Sequence, residues 1–154
     1  MNVIGAEHTC YTVTDLESAR LFYCELLGFE VAHARPRITN RYFRDIIGIP
    51  DAVVRDLYLR IPGTDHHLEL FVYEHPAGDP MDNRPQNPGS SHIAYVVDDL
   101  RALHRRLKTQ DLVELEFISE PVYLDEGPNR GGWALYLRDP NGIILELFEK
   151  APEA

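Results

Sequence analysis

The chain is poor in cysteine. Cys10 and Cys24 are the only two in 154 residues, too few for the disulfide framework of a small secreted domain. No basic-then-apolar segment follows Met1, so no signal peptide is expected and the default compartment is the cytosol. The apolar runs fall far short of the roughly 20 residues that span a bilayer. A glycine-rich nucleotide-binding pattern, a haem motif and a redox cysteine pair are also missing, which leaves electrons no obvious route. Positive charge is the minority sign: 15 Lys and Arg stand against 25 Asp and Glu, a net charge of −10. That balance argues against nucleic acid or an anionic membrane as the main partner. The basic charge is unevenly placed, with arginines at 35, 37, 41, 44, 55 and 60, whereas residues 111–126 carry six acids and no Lys or Arg. This is either a pair of solvated faces of opposite sign or an arginine cluster lining an anionic substrate site.

What is present is organised around one stretch, His67-Leu68-Glu69-Leu70-Phe71-Val72-Tyr73. It alternates as a strand, with Leu68, Leu70 and Val72 on one face and His67, Glu69, Phe71 and Tyr73 on the other. A carboxylate mid-strand among large apolar residues is costly unless it has a partner. Upstream, residues 7–13 read as a strand with His8, Cys10 and Thr12 on one face. Thr14 or Asp15 then caps a helix that Gly28 ends. Phe29 to Ala34 is a second strand, Tyr42 to Ile47 a short helical turn, and 53–61 an alternating strand with Asp56, Tyr58 and Arg60 on one face. The first half is thus β-α-β-β-β.

Residues 75–91 hold four prolines and read as a linker. The pattern then restarts with a strand from His92, a helix capped by Asp98 or Asp99, and two strands around the turn Asp139-Pro140-Asn141-Gly142. Residues 8–16 and 92–100 are identical at five of nine positions, including His8/His92, and residues 68–71 equal 145–148, which pairs Glu69 with Glu146. The chain therefore reads as a duplicated module: 5–74, linker 75–91 and 92–149, forming one domain over 1–154. Fold class is α+β, with two tandem β-α-β-β-β modules.

Two histidines and two carboxylates at repeat-equivalent strand positions suit one divalent metal per chain: Zn, Ni, Co, Mn or Fe. The expected ligands are His8, Glu69, His92 and Glu146. His67 is a candidate to support the site from behind, while His33, His75 and His104 read as surface residues. Tyr58, Arg60, Phe71, Trp133 and Arg130 are candidate substrate contacts.

The paired modules, with Asp15-Leu16-Glu17-Ser18-Ala19-Arg20-Leu21-Phe22-Tyr23, Leu27-Gly28-Phe29 and Asp139-Pro140-Asn141-Gly142-Ile143-Ile144-Leu145-Glu146-Leu147, resemble the vicinal oxygen chelate superfamily of glyoxalases, epimerases, extradiol dioxygenases and bleomycin resistance proteins. The resemblance spans roughly residues 5–149. It implies a curved mixed sheet around a metal-binding cavity, a metal held between modules, a homodimer, and a small-molecule substrate with adjacent oxygens. It also implies proton abstraction beside a metal-chelated carbonyl, through an enediolate or enolate, by Glu69 or Glu146. The activity so implied is that of an isomerase, epimerase or glyoxalase-like lyase. The alternatives are an extradiol Fe(II) dioxygenase and an antibiotic-binding or resistance protein. The turn before the last strand weighs against methylmalonyl-CoA epimerase.

Overall fold

Alternation along β3 (Val53–Arg60) and β4 (His67–His75) decides how the first half packs. Leu57, Leu59, Leu68 and Leu70 are all buried. The helix α1 (Leu16–Arg20) lies against these two strands and contributes Ala19, with Phe22 and Tyr23 buried in the turns that follow. The computed structural model describes residues 2–152. The chain divides into two compact units between Pro80 and Met81, a boundary inside the proline-rich stretch 75–91.

In the first unit the helix starts at Asp15, not Thr14: the Asp15 carboxylate accepts from the backbone N–H of Glu17 and Ser18. The helix widens into a π turn over Leu21–Leu26 and stops at Gly28, whose φ of 77° favours a residue without Cβ. β1 (His8–Thr12) lies parallel to β4, and the strand order is β1-β4-β3-β2. β2 (Glu30–Ile38) runs beyond Ala34, where the sequence suggested it would end. It is an edge strand, which tolerates Pro36, and its register shifts on either side of the Ala34–Arg35 pairs. α2 (Arg41–Ile47) places Phe43 against Ile38, Ala52, Val54 and Phe71 in a small core of its own.

The second unit repeats the plan. β5 (Ile93–Val97) is parallel to β9 (Ile144–Glu149), and β8 (Trp133–Arg138) pairs antiparallel with β9. Two short strands, β6 (Glu116–Phe117) and β7 (Val122–Tyr123), both pair with β8. The protein is thus an α+β fold with two mixed sheets, of four and five strands. At the β8–β9 turn the Asp139 carboxylate accepts from the N–H groups of Asn141 and Ile143, and Gly142 takes φ 80°.

α3 (Leu100–Thr109) corrects one reading. His104 is not a surface residue: it is 6% exposed, with its ring edge-on to Phe117. Among the described residues its Nε2 has no hydrogen-bond partner; it lies 3.4 Å from Glu120, which is itself bonded to Lys108. Burial pushes the His104 pKa down, against the pull of Glu120 and with that of Lys108 and Arg105. The folded state therefore favours the neutral ring. Stability present above the unfolded-state pKa of about 6.5 is lost as the pH falls below it, because the unfolded chain takes the proton first. Urea unfolding at pH 7.5 and 5.5 should show a larger acid loss for wild type than for His104→Gln; equal losses would assign the effect to other groups.

Candidate functional site

The parallel pairing of β1 with β4 sets Cys10 opposite Glu69 and His8 opposite His67. The His8 ring reaches along the same face to Glu69, with Nε2 3.4 Å from Oε2. Its other ring nitrogen, Nδ1, is bonded to the carboxylate of Glu7, which also accepts the Tyr58 hydroxyl at 2.6 Å. A carboxylate on Nδ1 keeps the proton there and turns the Nε2 lone pair outward, the arrangement usual for metal-binding histidines. The bonds from Tyr58 and His8 hold the Glu7 pKa down. Burial, and then Glu7, push Tyr58 up to about 12, so it remains a donor.

Glu69 is 7% exposed. Its second oxygen, Oε1, accepts from Arg35 Nη2 at 3.2 Å. Arg35 is itself forked on Asp56: its backbone N–H donates to Oδ1 at 2.7 Å, Nε donates to Oδ2 at 2.8 Å, and Nη2 also donates to Oδ2. Burial pushes the Glu69 pKa up; His8 and Arg35 oppose this and Asp56 adds to it.

The second unit holds an equivalent pair. β9 carries Glu146 with Ala94 and Tyr136 as its cross-strand neighbours. His92 Nε2 lies 3.4 Å from Glu146 Oε2, and the Tyr136 hydroxyl is 3.0 Å from the same nitrogen. The Glu146 side chain is 20% exposed, against 9% for Glu69. No hydrogen bond to Glu146 is recorded among the described residues.

The two histidine–carboxylate separations are equal, and both exceed the usual 2.7–3.2 Å or so of an N–H···O hydrogen bond. Neighbouring donors around an ion with bonds of about 2.0–2.2 Å sit roughly 3–3.6 Å apart. Each pair therefore fits one edge of a metal coordination shell, and the nitrogen and oxygen donor set suits a borderline divalent ion. Among the described residues no three His, Cys, Asp or Glu side chains gather as a metal-holding cluster. The donors come as two pairs, one in each unit.

The remaining candidates scatter. Tyr58 lies on the Glu69 face, stacked between His33 at 4.7 Å and His67 at 4.9 Å. Arg60 is exposed, 3.9 Å from Glu30. Phe71 shares the Glu69 face but packs edge-on against Phe43 in the α2 core. Arg130 is exposed in its loop. Trp133 has the strand parity of Leu135 and Leu137, opposite to Tyr136, and its ring packs against Arg101 and Tyr123. It therefore leaves the candidate set.

Sequence reasoning passed over Glu7, Asp56 and Tyr136 as site residues and treated Arg35 only as one of a cluster. For Tyr136 the signal was there: Leu57-Tyr58-Leu59-Arg60 recurs as Leu135-Tyr136-Leu137-Arg138. Both tyrosines sit directly across from their module's glutamate.

The family model "Glyoxalase/Bleomycin resistance protein/Dioxygenase superfamily" matches residues 5–147. The chain belongs to this superfamily. A 2-epi-5-epi-valiolone epimerase from an Actinomyces species is 31% identical over 94% of this chain and 79% of its own length. A probable chloroplastic lactoylglutathione lyase from Arabidopsis thaliana is 27% identical over 94% of this chain, which spans 35% of that protein. The crystal structure of a glyoxalase family protein from Bacillus cereus superposes with a TM-score of 0.84 at 18% identity, covering 99% of this chain and 97% of that one. That likeness is one of fold. Among the described residues no helix is long and apolar enough to cross a membrane.

Proposed function

We propose that this glyoxalase-superfamily protein is a divalent-metal-dependent epimerase acting on a 2-hydroxy ketone, with His8, Glu69, His92 and Glu146 as the metal donors. The observation that carries the reading is the matched pair of 3.4 Å histidine–glutamate edges, one in each repeat. The metal, when bound, would polarise a substrate carbonyl and stabilise the negative charge left when the neighbouring carbon loses its proton. The chain's own residues do the rest. Glu7 orients His8, Tyr136 bonds His92, and a glutamate carboxylate takes the proton from one face of the carbon while a solvent-derived proton adds to the other face. Glu146, with no recorded hydrogen bond to either oxygen among the described residues, is the base in this reading. Glu69, held on one oxygen by Arg35, stays a ligand.

Epimerisation is preferred to lyase chemistry on two grounds. The Actinomyces relative shares the higher identity and, by its name, acts on a ketone. The Glu69 face also offers several hydrogen-bonding groups, Tyr58, His33 and His67, for a polar substrate. The test is metal-loaded protein with 2-epi-5-epi-valiolone, followed by proton NMR. Inversion that stops with chelator and returns with added metal is expected. No inversion of this or of other 2-hydroxy ketones, under any of the five metals, would overturn the reading.

A further inference from the structure

We infer that Arg35 is a positioning residue, locked in place by Asp56, that pins one oxygen of Glu69 so that the other stays aimed at the His8 side. The inference rests on the proposed metal role of Glu69, but its geometry stands apart from it. The Asp56 side chain is fully buried and receives three donors from Arg35, one from the backbone and two from the guanidinium. The same Nη2 that reaches Asp56 also donates to Glu69 Oε1. One guanidinium therefore bridges two carboxylates whose unscreened charges would repel.

The charge balance is what makes the arrangement useful. Arg35 and Asp56 cancel, so Glu69 is held without losing its own negative charge for a cation. Lysine is a point charge on a flexible stem and lacks the planar fork that spans two acceptors. The register shows why this bridge is private to the first module. Asp56 pairs with Phe71 on β4, whereas the position facing Phe148 on β9 is Ala134. Ala134 in turn pairs with Val122, where Asp56 pairs with Arg35, so at the matching positions the second module has neither the acid nor the arginine, and no hydrogen bond holds Glu146 among the described residues. The duplicated modules have diverged at the one place that fixes a carboxylate, which gives their two glutamates different freedom.

Two variants keep the test readable. Arg35→Lys preserves a partner for buried Asp56. The double change Arg35→Met with Asp56→Leu removes both charges together, avoiding the severe penalty of an orphaned buried carboxylate. Metal-stripped proteins are titrated with Co2+ against a competing chelator, and their cobalt absorption spectra are recorded. Both variants should fold, by circular dichroism, and bind Co2+ about 10–100-fold more weakly than wild type, the usual cost of losing a group that orients a ligand. Wild-type affinity and an unchanged spectrum in both variants would overturn the positioning role while leaving the metal reading intact. If wild type itself binds no Co2+, the metal reading fails, and metal-free crystal structures then decide the positioning alone. A Glu69 carboxylate that swings away in Arg35→Lys upholds it, and an unmoved one refutes it.

Discussion

Glu146→Gln lowers metal-dependent deuterium uptake from solvent into a 2-hydroxy ketone by about 10²–10⁴-fold, the usual contribution of a positioned general base. Glutamine matches the size of glutamate and keeps an oxygen for a metal, but it cannot accept the proton. The Glu146 side chain is a fifth exposed, its Oε2 lies 3.4 Å from His92 Nε2, and no hydrogen bond holds either oxygen among the described residues, so it is free to turn toward a substrate carbon. Glu69 has one oxygen tied to Arg35 and is nearly buried, and moving it would disturb a bridge shared with Asp56. Glu69→Gln should therefore weaken metal binding more than it slows exchange at saturating metal. The assay follows deuterium by NMR under anaerobic conditions, with metal content measured on the same samples. Exchange that survives in Glu146→Gln and vanishes in fully metallated Glu69→Gln reverses the two roles. Turnover that consumes oxygen and needs Fe(II) replaces the epimerase with a ring-opening dioxygenase.

Wild-type protein purified with a divalent metal should hold about one ion per chain, and the double variant His8→Ala with His92→Ala should hold none. Each substitution removes the only nitrogen donor of its pair, leaving a lone carboxylate that water competes for. Elemental analysis after dialysis measures this directly, and full occupancy in the double variant would sink the ligand assignment. The same logic reaches the oligomer. We propose a homodimer in which each chain supplies its own four donors. An inactive His8→Ala protein mixed with an inactive Glu146→Gln protein should then stay inactive, whereas recovered turnover would show donors exchanged between chains.

The sequence alone was enough to find the duplication and, through it, the two histidine–glutamate pairs. A repeat writes the same residues twice in the same order, and strand alternation then says which of them share a face. It also carried the fold class, since the buried leucines of β3 and β4 recur at every second position. It could not show Glu7, Arg35 and Asp56 as a group, because their contacts cross strands at separations set by register: Arg35 meets Asp56 only through the β2–β3 pairing. The end of β2 was misjudged for the same reason, as the sequence cannot tell an edge strand, where Pro36 is harmless, from a central one. His104 read as a surface residue, yet helical geometry turns it inward between Leu100 and Leu107. Trp133 was a candidate substrate contact, and the register of β8 gives it the parity opposite to Tyr136. Composition and periodicity record what is repeated along the chain. Which side chains touch across a sheet is decided by strand order and register, and these exist only in the folded protein.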